Sequence, residues 1–279
     1  MIIARIDAGL GNQMTKYALA RHLAILNDTE LKLDITSFKT FKRHRYGLDH
    51  FNIKASLATP QEINKLKTNQ LMRKLGLIKP SHIIEKEASV FDESILQLRG
   101  DFYVEGYWQV EQYFTGIESI IKDDFTVATE LAGRDKDIAD HIAQTNSVSL
   151  HIRRGDYLDH PEIYNTFGLD YYQRAVEAIA QKFPNPTCFV FSDDMPWVKK
   201  NLRLIVPIVY VDHNFANKNY EDIRLMSLCR HNIVANSSFS WWGAWLNNHQ
   251  DKIVIAPQKL FNNPAQLEHD CIPASWLRM

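Results

Sequence analysis

Net charge is almost missing from this chain: 32 lysines and arginines face 33 aspartates and glutamates, a formal balance of -1. Such a chain sets up no whole-molecule field that gathers nucleic acid or an anionic membrane, so any recognition of anions has to be local. Cysteine is scarce too. Cys188, Cys229 and Cys271 are too few and too scattered for a disulfide framework or a zinc site, and the first two lie in apolar runs, which reads as reduced core thiols. No apolar run approaches the roughly 18 residues of a bilayer-crossing helix. The N-terminal MIIARIDAGLG holds a strand-length apolar stretch, without the basic cluster and longer apolar segment of a signal peptide. Cytoplasmic residence is the expectation, with loose association at the inner face of a membrane left open. Internal repeats and low-complexity linkers are absent as well.

What is present suits ordinary cores: 279 residues, 45% hydrophobic and 23% charged, enough for one large unit or two domains. From about residue 147 the pattern becomes regular. SVSLHI, TCFVFS, VPIVYV, NIVAN and KIVIAP read as strands. Between them DYYQRAVEAIAQKF, MPWVKKNL, NYEDIRLMSLCRH and SFSWWGAWLNNH read as helices. Short β-branched strands alternating with helices predict a parallel sheet covered on both faces. The first half opens the same way, with MIIARI, the turn DAGLGN, the helix QMTKYALARHLAILN and a second strand ELKLDI. Residues 40–100 carry a basic FKRHR cluster and polar helical stretches; the cluster reads as a solvated face more readily than as an anion site. DFYVEGYWQVEQYF is rich in aromatic rings, which fit a core or the wall of a sugar site, with core packing the better reading for most of them. A boundary near residues 130–146 separates an N-terminal domain, 1–145, from a C-terminal one, 146–279.

In parallel sheets ligands bind at the carboxyl ends of strands. Arg153, Arg154 and Asp156 follow SVSLHI, Asp193 and Asp194 follow TCFVFS, and Ser237 and Ser238 follow NIVAN, so three strand ends carry polar clusters toward one rim. Each alone reads as a solvated turn or helix cap. HIRRGDY is the strongest of them. Two adjacent guanidiniums at a strand end need anionic partners. Asp156 pairs with one, leaving the other for an acidic ligand, and phosphate fits because the guanidinium fork matches its oxygens. FSDD lacks the Asp-x-Asp spacing of a metal site and has no partner cluster; its carboxylates suit ribose hydroxyls, a guanine edge or a helix cap, and Asp194 is placed for both jobs. NSSFSWWGAW offers the hydroxyls of Ser237, Ser238 and Ser240 at a helix N-terminus, a phosphate cradle or plain N-capping. GLGNQ is a strand-to-helix turn whose backbone NH groups approach a phosphate, without the full G-x-G-x-x-G spacing.

Taken together GLGNQM, HIRRGDY, FSDD and NSSFSWWGAWL resemble the signatures of the bacterial α-1,2-fucosyltransferases, which use GDP-fucose. HxRRxD is shared with α-1,6-fucosyltransferases and speaks for the donor class, whereas the opening GLGNQ and the tryptophan-rich motif speak for the α-1,2 linkage. The resemblance implies an α/β, GT-B-like enzyme of two Rossmann-like domains facing a cleft that takes the acceptor, with residues 1–145 as the acceptor-side domain and GDP-fucose on the C-terminal half, 146–279. It places Arg153 on the diphosphate, Arg154 and Asp156 as organisers of the motif, His151 and Asp194 near guanine, and Ser237, Ser238 and Ser240 near phosphate. Gly9, Gly11, Asn12 and Gln13 close over the donor from the other domain. The usual opening has two glycines before the leucine and an aromatic after the methionine; here Ala8 precedes Gly9, and Thr15 and Lys16 follow Met14.

The implied chemistry is inversion: an acceptor hydroxyl attacks the fucosyl carbon as GDP leaves. Arg153 stabilises the charge growing on the diphosphate, with no metal or other cofactor expected. Asp156 is the first choice of general base, with Asp159 and Glu162 as alternatives. The acceptor expected is a galactose-terminated oligosaccharide or lipid-linked glycan of a surface polysaccharide or O-antigen. The competing readings are a GDP-sugar transferase of another linkage, a non-catalytic nucleotide- or glycan-binding relative, and, weakest, a nucleic-acid binder.

Overall fold

The computed structural model describes residues 1–40, 43–67, 81–159, 167–215, 217–260 and 271–279. The chain forms two compact units, one built mainly on Met1–Ala128 and the other mainly on Thr129–Glu268 with Ile272–Met279.

Short strands of two to four residues make the first sheet. Its strands are β1 (Ile2–Arg5), β2 (Leu31–Asp34), β3 (Ser56–Leu57), β4 (His82–Ile84) and β5 (Phe102–Glu105), all parallel and in the order β3-β2-β1-β5-β4. Helix α1 (Leu10–Leu26) follows β1 and is buried on nearly every side, including the polar Gln13, Thr15, Lys16 and His22, as a helix inside the unit rather than on its surface. Met14, Tyr17, Ala18, Leu19 and Leu23 are all fully buried. Two shorter helices, α2 (Pro60–Lys67) and α3 (Glu118–Asp124), complete this unit, and Ile63 and Leu66 of α2 pack on Ile3 and Tyr103.

The second unit starts with helix α4 (Gly133–Ala143) and continues β6 (Asn146–Ile152), α5 (Leu169–Ala180), β7 (Pro186–Ser192), α6 (Met195–Asn201), β8 (Ile208–Tyr210), α7 (Asn219–Leu228), β9 (His231–Ile233), α8 (Ser238–Trp245), β10 (Val254–Ala256) and β11 (Leu277–Arg278). Its six parallel strands run β11-β10-β9-β6-β7-β8. Side chains alternate between faces along a strand, and here both faces are covered. Val148, Leu150, Ile152 and Val190 meet Tyr171, Tyr172, Val176 and Ile179 on one side, while Phe189 and Phe191 meet Ile142, Leu225, Met226 and Cys229 on the other.

Two expectations change. The units divide at Ala128, so α4 goes with the second unit, where Ile142 joins the core under Phe189 and Phe191. The second sheet gains a sixth strand, β11, whose two residues pair with Ile255 and Ala256. All three cysteines are buried and none is in a disulfide, as expected of reduced core thiols.

Each strand order contains one place where the chain leaves a strand toward one side and the neighbour on the other side is supplied later. In the first unit that place is between β1 and β5; in the second it is between β6 and β9. The carboxyl ends at such switch points are where doubly wound sheets bind ligands.

Candidate functional site

Beside the second unit's switch point, β6 and β7 run in register from Asn146↔Pro186 to Ile152↔Ser192. The residues that follow the strands therefore emerge side by side, two arginines beside two aspartates. Arg153 Nη1 lies 2.9 Å from Asp193 Oδ2, and Asp193 Oδ1 accepts the Arg154 backbone NH at 3.0 Å. Arg154 Nε donates to Asp194 Oδ2 at 3.4 Å. Asp194 also caps α6, its Oδ1 accepting from the Trp197 NH at 3.2 Å. Of the roles expected for Asp194 the helix cap is present, and a second oxygen holds Arg154, a partnership the sequence reading did not foresee.

FSDD supplies a carboxylate to each arginine; the pairing with Asp156 read from the sequence lies outside the described residues. Asp156 lies in a 3-10 turn, Gly155–Asp159, and its side chain falls outside the described residues; Glu162 falls outside them altogether. Sequence reasoning ties an arginine to the nearest carboxylate along the chain, whereas the parallel register also brings carboxylates from the next strand.

Aromatic rings and a glycine shape the cluster. The Arg154 guanidinium carbon sits 3.5 Å from the centroid of the Trp197 ring, and that of Arg153 5.2 Å from the centroid of Tyr157. The Tyr157 hydroxyl donates to the Asn236 carbonyl at 3.0 Å, tying the turn after β6 to the segment after β9. A Cβ at Gly155 would collide with the Asp193 carboxylate, so only glycine lets the turn pass there. Tyr172, buried in α5, hydrogen-bonds the Arg153 backbone from below. Sequence reasoning missed Tyr157, Trp197 and Gly155 as parts of the site; the signal for Trp197 was its place in the first turn of the helix after FSDD.

His151 is buried at the end of β6 beside Phe239, ring centroids 5.6 Å apart, and among the described residues its Nδ1 has no hydrogen-bond partner. Burial, with Arg153 nearby adding, holds its pKa down to about 3, so the ring is neutral at any physiological pH. The serine cluster divides. Ser237 is the N-cap of α8, accepting from the Phe239 NH at 3.4 Å, and Ser238 is the first helical residue. Ser240 is buried, accepting from the Ala235 NH at 3.3 Å and donating to the Ser237 carbonyl at 3.4 Å. Its hydroxyl closes the turn rather than facing the rim.

Past β8, on the same carboxyl side, a second cluster went unrecognised in the sequence. Asn214 Nδ2 donates to Asp135 Oδ1 at 2.7 Å and to Asp222 Oδ1 at 3.0 Å, and His213 Nε2 lies 2.9 Å from Asp135. Burial, with the negative charges of Asp135 and Glu221 adding to it against the Asn214 hydrogen bond, pushes the Asp222 carboxyl up to about 8. Asp135 belongs to the one Asp-x-Asp spacing in this region, with Asp137, but His213 and Asn214 engage it. Among the described residues no group of three or more His, Cys, Asp or Glu is placed to hold a metal ion.

The N-terminal motif lies in the first unit. Gly9 is the N-cap of α1 and no side chain caps it. Gln13 is fully buried, its Nε2 donating to the carbonyls of Ala8 (2.9 Å) and Arg45 (2.8 Å) and its Oε1 accepting from the Gly47 NH (3.0 Å). It fastens the loop around residues 45–47 onto the turn before α1. Asn12 Oδ1 accepts from Gln109 Nε2 at 2.6 Å, and Gly11 is buried within the helix. Ala8 adopts φ +64, the left-handed region, at the position where the usual opening has glycine. The backbone geometry wanted by that glycine is kept without it. Of the basic FKRHR run, Lys42 lies outside the described residues and His44 stands over Gly9, with 3.8 Å from its Cε1 to a Cβ built there.

Comparison with known proteins adds the following. The sequence pattern of the family described as Glycosyl transferase family 11 matches residues 1–279. A protein of Escherichia coli named alpha-1,2-colitosyltransferase is 33% identical over 291 residues, covering 100% of this chain and 99% of that one. Another from Escherichia coli, O-antigen biosynthesis glycosyltransferase WbnK, is 30% identical and covers 98% of this chain and 99% of its own length. Among solved structures, an Arabidopsis thaliana FUT1 variant in complex with GDP superposes with a TM-score of 0.55 at 11% identity, over 91% of this chain and 69% of that one. At that identity the likeness is one of fold, and it agrees with the expected GT-B-like pairing of two Rossmann-like sheets. Among the described residues no helix is long and apolar enough to cross a membrane.

Proposed function

The chain belongs to glycosyl transferase family 11, and from that premise we propose that it transfers L-fucose from GDP-fucose to the 2-hydroxyl of a terminal galactoside, as a step in building a surface polysaccharide or O-antigen. The observation that carries this reading is the pair Arg153 and Arg154, oriented by Asp193 and Asp194 at the carboxyl ends of β6 and β7, beside the switch point of the second sheet. The relatives named as α-1,2-colitosyl and O-antigen transferases support the reaction class and the setting.

The acceptor hydroxyl forms the new bond to the anomeric carbon as the bond to the diphosphate oxygen breaks, and the electron pair leaves with GDP. Negative charge grows on the leaving phosphate. A guanidinium already fixed by Asp193 meets that charge without reorganising, and removing a preorganised group of this kind typically lowers the rate roughly a hundred- to thousandfold. Arg153 takes this role; Arg154, stacked on Trp197, braces the turn and offers its remaining NH groups to the same diphosphate. The neutral, buried His151 and Asp194 serve the guanosine, and Ser237 and Ser238 the phosphates through the free end of α8. Asp156 is the proposed base for the acceptor proton. No metal is required in this scheme, because the arginines supply the charge.

A second reading is favoured by the colitosyl name of one relative. Colitose is fucose without its 3-hydroxyl, so the same diphosphate site would serve either GDP-sugar. Titration calorimetry with GDP, GDP-fucose, GDP-mannose and UDP-galactose in EDTA tests the donor, with product linkage read by NMR. Selective binding of GDP and GDP-fucose and an α-1,2 product are expected. No binding of any guanine nucleotide, or activity only with added magnesium or manganese, would overturn the proposal.

A further inference from the structure

The first sheet has a switch point of its own, between β1 and β5, and apart from Gly9, Gly11, Asn12 and Gln13, expected to close over the donor, the donor reading does not use it. β1 ends at Arg5 and leads to Asp7; β5 ends at Glu105 and leads through Gly106 to Tyr107. These two ends carry an ordered group of polar side chains. Asp7 Oδ2 lies 2.9 Å from Arg5 Nε, and Asp7 Oδ1 accepts from the nearly buried Lys16 ammonium. Lys16 stands 4.8 Å from the centroid of the Tyr107 ring.

Tyr107 is unlike its neighbours. Tyr103, Trp108, Tyr113 and Phe114 are buried and form core, as the aromatic run predicts, but Tyr107 is 47% exposed. It is nevertheless firmly held. The Glu85 carboxylate accepts the Tyr107 NH at 2.6 Å and the Trp108 NH at 3.0 Å. Gly106 is needed for this wrap, since a Cβ there would collide with Glu85, and Trp108 pays for the sharp bend with φ +56. A backbone drawn into that shape around a carboxylate presents one large ring to solvent in a fixed place, and strain of this kind persists where the surroundings over-determine it.

We propose that this end of the first sheet is the acceptor subsite, with one pyranose of the glycan stacked on Tyr107 and its hydroxyls bonded by Asp7 and Lys16. The inference rests on the glycosyltransferase reading above and names the part of the chain that reads the acceptor. A sugar ring has an apolar face of C–H bonds and a polar rim. An exposed aromatic bordered by a carboxylate and an ammonium matches both. Lys16 is one of the residues in which this chain departs from the usual GLGNQM opening, so acceptor choice is where that departure acts.

The test separates acceptor from donor. Y107A, Y107F and Y107W are compared with the parent protein in three assays: GDP affinity by calorimetry, GDP-fucose hydrolysis without acceptor, and transfer to lactose, lacto-N-biose and N-acetyllactosamine with direct binding of the same sugars by saturation-transfer NMR. Y107A is expected to raise the acceptor KM about tenfold or more, the size of a lost aromatic stack, with GDP affinity and hydrolysis unchanged. Y107F and Y107W are expected to stay within about threefold of the parent. An unchanged acceptor KM in Y107A, an equal loss in Y107F, or no sugar binding by the parent protein would each overturn the subsite. Failure of the parent protein to bind GDP would instead overturn the donor reading and leave the sugar-binding comparison standing.

Discussion

The guanidinium of Arg154 lies flat enough on the indole of Trp197 to bring its central carbon 3.5 Å from the ring centroid, while its Nε holds Asp194. The aspartate that caps α6 and the tryptophan in that helix's first turn thus grip the same arginine. Lysine keeps the charge at this position but has neither the planar stack nor the fork. R154K is therefore expected to weaken GDP binding roughly three- to thirtyfold, the range of a lost cation–π contact with its hydrogen bond. R154K and W197L should also be non-additive in stability, by about 0.5–2 kcal/mol in a double-mutant cycle from urea unfolding. Simple additivity would remove the stack from the account.

Gly155 makes a sterically sharper prediction. Its missing Cβ leaves room for the Asp193 carboxylate that orients Arg153. G155A should weaken GDP binding about tenfold or more, because overpacking at a fixed turn costs about 1–3 kcal/mol. In a D193A background the same substitution should add little further loss. Calorimetric titration of the four proteins reads both effects.

Ala8 offers a gain. With φ +64 it occupies a region in which a Cβ is strained by roughly 1–2 kcal/mol. Part of that is returned because glycine loosens the unfolded chain, so A8G should stabilise the protein by about 1 kcal/mol. Thermal unfolding should show a rise of about 2–4 °C in the transition of the unit that contains it. A fall in Tm would show that the alanine methyl makes packing contacts worth more than the strain.

Asp222 sets a pH dependence. In the folded chain its carboxyl keeps the proton up to about pH 8, whereas an unburied aspartate releases it near the ordinary 3.8. Between those values the folded state binds more protons than the unfolded one, so this group makes stability fall as pH rises through the window. His213, Asp135 and Glu221 are the charged or titratable groups around it. D222N, which cannot ionise, should gain stability relative to the parent protein steadily from pH 4 to pH 8. Parallel unfolding curves for the two proteins across that range would show that Asp222 ionises at its ordinary pKa.

Much of the second unit is legible in its sequence because strands buried on both faces must be nearly continuous in apolar residues. SVSLHI and TCFVFS meet that demand and become β6 and β7. β3 and β11 have two residues each and exist only by pairing with a neighbour, so nothing in their own residues announces them. The site divides along the same line. Its arginines, aspartates and serines stand out by type and by position after strands. Their partnerships do not, since Arg153 finds Asp193 across a register that only the folded sheet defines. Asp222 was hidden for a related reason: its environment is made by His213, Asn214 and Asp135, and helix periodicity gives no sign of it.

The balance of two arginines against two aspartates reaches into kinetics. Arg153 and Arg154 are each paired in place with an aspartate, so the rim presents fixed hydrogen-bond directions with its local charges largely offset. Polyanions at large, such as ATP and nucleic acid, are not concentrated there, and donor encounter proceeds without long-range attraction. Ionic strength then has little leverage on how often a sugar nucleotide arrives. Selectivity resides in how long it stays, decided by whether its diphosphate engages guanidiniums already held at fixed angles.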